Sequence, residues 1–141
     1  MSQGAGRARA LRPEKILIIT KDFLRKNRDL DEVLIRRLIS SLYFSLFNYW
    51  SAKVFEAGRR GAGKLMDSFK YSEFHGDIRV RGLDPYIKLI HEARVAVDHY
   101  TLNPTIVTIY NGYTIQISID KNCLINVLKA SETILKLIDS I

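Results

Sequence analysis

Apolar residues recur at helical spacing along most of the chain. Pro13 suits a first helical turn, where its missing N–H costs nothing. Ile16, Ile19, Phe23 and Leu24 follow on one side, so the pattern predicts a helix over about 13–26. "NRDLD" reads as a turn, with Asp29 or Asp31 capping the next helix. From Asp31 to about Ala57 there is no glycine or proline. Leu34, Leu38, Leu42, Ser45 and Tyr49 form one row, and Ile35, Ile39, Leu46, Phe47 and Trp50 widen it. A helix apolar nearly all round in its middle belongs at the centre of a bundle or in an interface. Its aromatic residues Tyr43, Phe44, Phe47, Tyr49 and Trp50 therefore read as core or dimer seam rather than a base-stacking platform.

The second half alternates between periods. "KLMDSFKYSEFHGD" reads as a short helix ending near Gly76, with Leu65, Phe69 and Phe74 on one side. "IRVRG" is ambiguous and compatible with an extended segment. Asp84 and Pro85 are N-cap and first-turn signals for a helix to about Tyr100. Tyr86, Ile87, Ile90, Ala93 and Val97 line its predicted buried side, with Leu89 on the flank. Thr105–Tyr110 and Tyr113–Ile119 are rich in β-branched residues and are separated by Asn111-Gly112, a strong hairpin signal. Asp120 then caps a last helix through Ile138, striped by Leu124, Val127, Leu128, Ile134, Leu135 and Ile138. The fold class is mainly α, a helical bundle with one β-hairpin before the last helix. The domain reading is a basic flexible tail over 1–12 and a single domain over 13–141.

Composition bounds the chemistry. At 141 residues, 47% apolar and 26% charged, the chain has enough material for a core without a disulfide or metal staple. The lone Cys123 precludes an internal disulfide and reads as a small helix residue. The net charge of +7 favours polyanionic partners such as RNA. The longest uncharged run, Leu38–Ala52, is shorter than the roughly 20 residues of a membrane helix. Together with a Gly-rich, basic start unlike a secretory signal, this suggests a soluble, cytoplasmic protein with no membrane partner.

"GRRGAGKL", residues 58–65, imitates the start of a phosphate-binding P-loop. A P-loop follows a strand and ends in Ser or Thr for magnesium. Here a helix precedes it and Leu65 stands at the end, so it reads as a basic interhelical loop. Arg59, Arg60 and Lys64 are its candidate nucleic-acid contacts. The histidines His75, His91 and His99 show no metal-ligand spacing, so no metal or cofactor is expected.

"HEARVAVDHY" is the densest chemical cluster. Arg94 and Asp98, four apart, share a helix face and can pair. His99 can take a proton from a ribose 2′-hydroxyl or give one to a leaving oxygen. Arg94 can clamp the phosphate as charge grows. The plain alternative is a solvated helix pair beside a histidine suited to a helix C-terminus. Five residues on a helix amount to about 140° of rotation, so Arg94 and His99 share a face only if the helix loosens or a dimer brings two copies together.

Arg94-x4-His99 followed by Tyr100 resembles the motif of the HEPN family, the higher eukaryotes and prokaryotes nucleotide-binding domains. "SSLYFSLFNYWSAKVFEAG" resembles the long second helix of its small prokaryotic members through Ser41, Tyr43, Phe44, Ser45, Leu46 and Phe47. "DSFKYSEF" stands where those members carry a short helix. The element order agrees over about 13–140. The resemblance implies an up-and-down bundle that forms a homodimer with its Arg/His motifs facing one cleft. It implies metal-independent endoribonuclease activity of toxin type, often with a small nucleotidyltransferase antitoxin. The alternative is a non-catalytic nucleic-acid- or nucleotide-binding module, or a partner subunit of a nucleotidyltransferase. Carried over, Arg94 and His99 are catalytic, and Asp98 and Tyr100 are supporting. Tyr100 directly follows His99, where catalytic members usually have His-x-Tyr.

Overall fold

The structure is a computed structural model that describes residues 12–26, 31–57, 69–109 and 112–141. In chain order it has α1 (Glu14–Lys26), α2 (Glu32–Ala57), α3 (Tyr71–Ile78), a π-helical segment (Arg79–Leu83), α4 (Asp84–His99), β1 (Thr105–Thr108), β2 (Thr114–Ile117) and α5 (Lys121–Asp139). The mainly α bundle with a hairpin before its last helix is what the periodicity predicts.

The central layer is the mutual packing of α2, α4 and α5, with α1 laid against α2 and α5. α2 buries Ile39, Leu42, Tyr43 and Leu46 completely. Its row therefore starts at Ile35 rather than Leu34, which is exposed. Trp50 and Tyr49 are core, and each finds a carboxylate for its polar tip: Trp50 Nε1 donates to Asp77 at 2.7 Å and the Tyr49 hydroxyl to Asp139 at 2.6 Å. The aromatic cluster is thus interior packing, extended by edge-to-face contacts of Phe47 with Tyr71 and Phe74. On α1 the buried residues are Leu17 and Thr20, whereas Ile19 faces out. Thr20 enters the core because its hydroxyl is satisfied by the Ile16 carbonyl at 2.7 Å. Arg12, assigned by its sequence to the tail, pairs with Glu14 and Asp139 and ties the start of α1 to the end of α5.

Caps explain several boundaries. Asp31 accepts from the Val33 N–H at 2.9 Å and Asp120 from the Cys123 N–H at 2.9 Å, both as expected from sequence. Asp29, the other candidate, lies outside the described residues. α3 begins only at Tyr71, where the Glu73 side chain accepts from the Lys70 N–H at 2.8 Å. It does not stop at Gly76. The chain stays helical through Ile78 and widens into the π segment, so "IRVRG" is not extended. Gly82, at φ 101°, makes the break that lets α4 restart in a new direction. Asp84 is consequently the first residue of α4 rather than its cap. α4 buries Ile87, Ile90, Ala93 and Ala96, while Tyr86 is exposed and Val97 half-buried.

β1 and β2 are antiparallel, with Thr105 opposite Ile117 and Thr108 opposite Thr114. Val107, Ile109 and Ile119 face the core. The Ile109 N–H bonds the Tyr113 carbonyl and the Gly112 N–H bonds the Ile109 carbonyl, both at 2.8 Å. Gly112 is at φ 84°, the positive φ that the Asn111-Gly112 hairpin signal calls for at its glycine. Tyr110 and Asn111 themselves are outside the described residues.

Candidate functional site

The motif helix ends where α2 passes it. Arg36 on α2 reaches the carbonyls of Ala96, Val97 and Tyr100 at 3.2, 3.3 and 2.6 Å. The Ala96 carbonyl already accepts from the Tyr100 N–H at 3.3 Å; the guanidinium adds a donor to the carbonyls at this helix end and meets the negative end of the helix dipole. Arg36 is itself held by Glu32 at 2.8 Å. The end of α4 is therefore clamped.

Arg94 and Asp98 pair as their spacing predicts, Nε to Oδ2 at 3.4 Å. The Ser40 hydroxyl also approaches Asp98, at 3.4 Å. The Arg94 guanidinium lies among the rings of Tyr71, Tyr43 and Phe44, at 4.8, 5.3 and 5.3 Å from their centroids. Its side chain is only 14% exposed. His99 is the last residue of α4 and is exposed. Among the described residues no hydrogen bond or ion pair joins Arg94 to His99, in keeping with their angular separation on the helix. Tyr100 is half-buried and acts through its backbone, donating to the Ala96 carbonyl and accepting from Arg36.

Asp98 borders an open groove of about 520 Å³ between α2 and the end of α4. Arg36, Arg37, Ser40, Ser41, Phe44 and Val97 form the rest of its lining. Arg36 is committed to its carbonyls, but Arg37 is exposed and has no ion-pair partner among the described residues. The groove therefore offers one available guanidinium, two hydroxyls and an aromatic edge. Arg59, Arg60 and Lys64, the other candidate phosphate contacts, lie outside the described residues.

A second cluster lies behind Arg94. The Tyr43 hydroxyl and His75 Nε2 are 2.7 Å apart, and the His75 and His91 ring centroids are 4.3 Å apart. Burial, with the charges of His91, Arg94 and Arg79, pushes His75 down from 6.5 to about 3. Burial and Arg94 lower His91 as well. Both rings are thus held neutral near pH 7, and burial raises the Tyr43 hydroxyl so that it stays protonated. The sequence separates His75 and His91 by sixteen positions, and only the reversal through the π segment brings α3 and α4 together. Arg37 was visible as part of a lone basic pair in an apolar helix, but its place beside the motif depends on how α2 crosses α4. The Cys123 thiol, half-buried in α5, is pushed up to about 11 by burial and the nearby Asp120. Among the described residues no three His, Cys, Asp or Glu side chains are grouped so as to hold a metal ion. No helix there is long and apolar enough to cross a membrane.

No protein-family model, curated protein or solved structure matches this chain.

Proposed function

We propose that this chain is a metal-independent endoribonuclease of the HEPN type that works as a dimer. The observation that carries this reading is the groove at the end of α4, where Asp98 adjoins two serine hydroxyls and Arg37, which has no ion-pair partner among the described residues; the exposed His99 follows Asp98 in the chain. A polynucleotide backbone needs a cation and hydroxyl donors, and this groove offers both on a chain of net charge +7. In the reaction, the ribose 2′-oxygen attacks the adjacent phosphorus and the bond to the 5′-oxygen breaks. The 2′-hydroxyl proton goes to a base and a proton reaches the leaving oxygen. His99 serves one of these transfers and a second copy of His99, from the other protomer, the other. Arginine stabilises the charge that builds on the non-bridging oxygens. A cytoplasmic setting, a toxin-like role and a small nucleotidyltransferase antitoxin belong to the same reading and are carried by the resemblance alone.

The test is cleavage of labelled RNA in EDTA. Wild type is expected to cut, and His99→Ala to lose cutting while keeping its unfolding midpoint, because His99 is exposed. Equal cutting by wild type and His99→Ala would remove the reading.

One observation favours a second reading. Arg94 is enclosed by three rings and paired with Asp98, an arrangement suited to holding α4 on α2. On that reading the chain is a non-catalytic nucleic-acid-binding module or a partner subunit, and RNA remains intact under salt-sensitive binding.

A further inference from the structure

A second polar pocket opens between α3, the π segment, α4 and the hairpin. His75, Arg79, Asp84, Lys88, His91 and Tyr113 supply its polar lining over a floor of Ile87 and Ile109. It shares no lining residue with the groove at the end of α4. Its volume is about 200 Å³, below the roughly 300–1,000 Å³ of pockets that enclose whole drug-sized ligands. The occupant is therefore a single compact group.

The charges decide its sign. Among the lining residues Arg79 and Lys88 outnumber Asp84 and both histidines are neutral, while the Glu92 carboxylate stands outside the lining beside Lys88 and Tyr113. Arg79 is exposed and has no ion-pair partner among the described residues. Its guanidinium folds back across Gly76, within 3.8 Å of where a Cβ on that glycine would stand. Lys88 rests on the Tyr113 ring, 4.8 Å from its centroid. A metal ion is disfavoured, since two permanent cations repel it and His75 Nε2 is already engaged by Tyr43. With Nε2 taken up by the Tyr43 hydroxyl, Nδ1 is the ring nitrogen that His75 has left for a ligand. An imidazole, a guanidinium and an ammonium around one small cavity are the partners that a tetrahedral oxyanion takes.

We propose that this pocket binds a phosphate-sized dianion, either inorganic phosphate or the terminal phosphate of a phosphomonoester. The break at Gly82 places the site: Arg79 precedes it and Asp84 follows it, so the kink sets how α3 and α4 meet.

The experiment is an NMR titration of the histidine ring C–H resonances of the full chain with inorganic phosphate. His75 and His91 should shift saturably while His99 stays in place. Arg79→Gln combined with Lys88→Gln should weaken binding by about tenfold or more, with an unchanged circular dichroism spectrum because both side chains are exposed. Two further ligands separate the sources. A 5′-phosphorylated dinucleotide that binds more tightly than phosphate identifies a nucleic-acid end, and equal binding identifies the free anion; both support the site. His75 and His91 resonances that do not move through the millimolar range overturn it. So does undiminished affinity in the double variant, or a shift of His99 alone, which would put the anion in the groove instead. None of these readouts depends on RNA cleavage, so the pocket and the ribonuclease reading fail separately.

Discussion

Among the described residues His75 is held far from its behaviour in water. Its ring is packed against His91 and bonded to Tyr43, and it protonates only near pH 3 instead of 6.5. The unfolded chain therefore takes up this proton at higher pH than the folded one, and stability falls as pH drops from 6.5 toward 3. His75→Gln removes that proton uptake. The gap in unfolding free energy between pH 6.5 and 5 should accordingly be smaller in His75→Gln than in wild type, as measured by urea denaturation at each pH. An identical pH response in both would mean that His75 is not held neutral. Tyr43→Phe should destabilise the fold by about 1–3 kcal/mol, because it strips a half-buried ring nitrogen of its partner. At this scale the sequence was legible where the interaction is local. Asp31 and Asp120 cap as their positions suggest, and Arg94 pairs with Asp98 four residues on. It was not legible for His75 and His91, whose meeting needs a chain reversal that no spacing rule encodes, nor for the rings around Arg94, which come from α2 and α3.

At the scale of elements, long-range side-chain to backbone bonds hold the ends of the structure together. Arg36 closes the end of α4, and Arg36→Ala should cost about 1.5–3 kcal/mol, the range for hydrogen bonds to a charged group. Arg36→Lys should recover only part of this, since an ammonium lacks the planar fork that spans several carbonyls. Chemical denaturation of the three proteins checks the order. Asn103 plays the matching part for the hairpin: its side chain donates to the Ile119 carbonyl and accepts from the Ile119 N–H, both at 2.8 Å, and also reaches Glu32 at 3.0 Å. Gly112→Ala should cost about 1–2 kcal/mol at φ 84°, through backbone strain alone, because nothing lies within 4 Å of the added Cβ. Hydrophobic period identified the four long elements and the hairpin. It missed the π segment because "IRVRG" has too few apolar positions to show a period, and because a glycine at positive φ leaves no pattern in its neighbours. It misjudged Ile19 and Leu34 because periodicity gives the apolar stripe but not how far each helix is rolled against its neighbours.

On the scale of the whole molecule, the excess of 22 basic over 15 acidic residues matters through where the cations are free. Most described arginines are spent on ion pairs or carbonyls, including Arg12, Arg25, Arg36, Arg81 and Arg94. Arg37 stands apart at the groove, and Arg79 at the histidine pocket. If the groove carries RNA, Arg37→Gln should weaken binding to all sequences alike and reduce the salt dependence by about one counterion, seen in fluorescence anisotropy across a salt series. A variant with unchanged salt dependence would move the RNA elsewhere. The bundle itself was readable from composition and period; the groove and the pocket were not, since both form where helices distant in sequence cross. The most direct test of the central claim is the chemistry of the RNA ends released by the protein in EDTA, with His99→Ala beside it. Attack by the 2′-oxygen predicts fragments ending in 2′,3′-cyclic phosphate and 5′-hydroxyl, absent with His99→Ala. Intact RNA, or fragments with 3′-hydroxyl ends that appear only when magnesium is added, would contradict it.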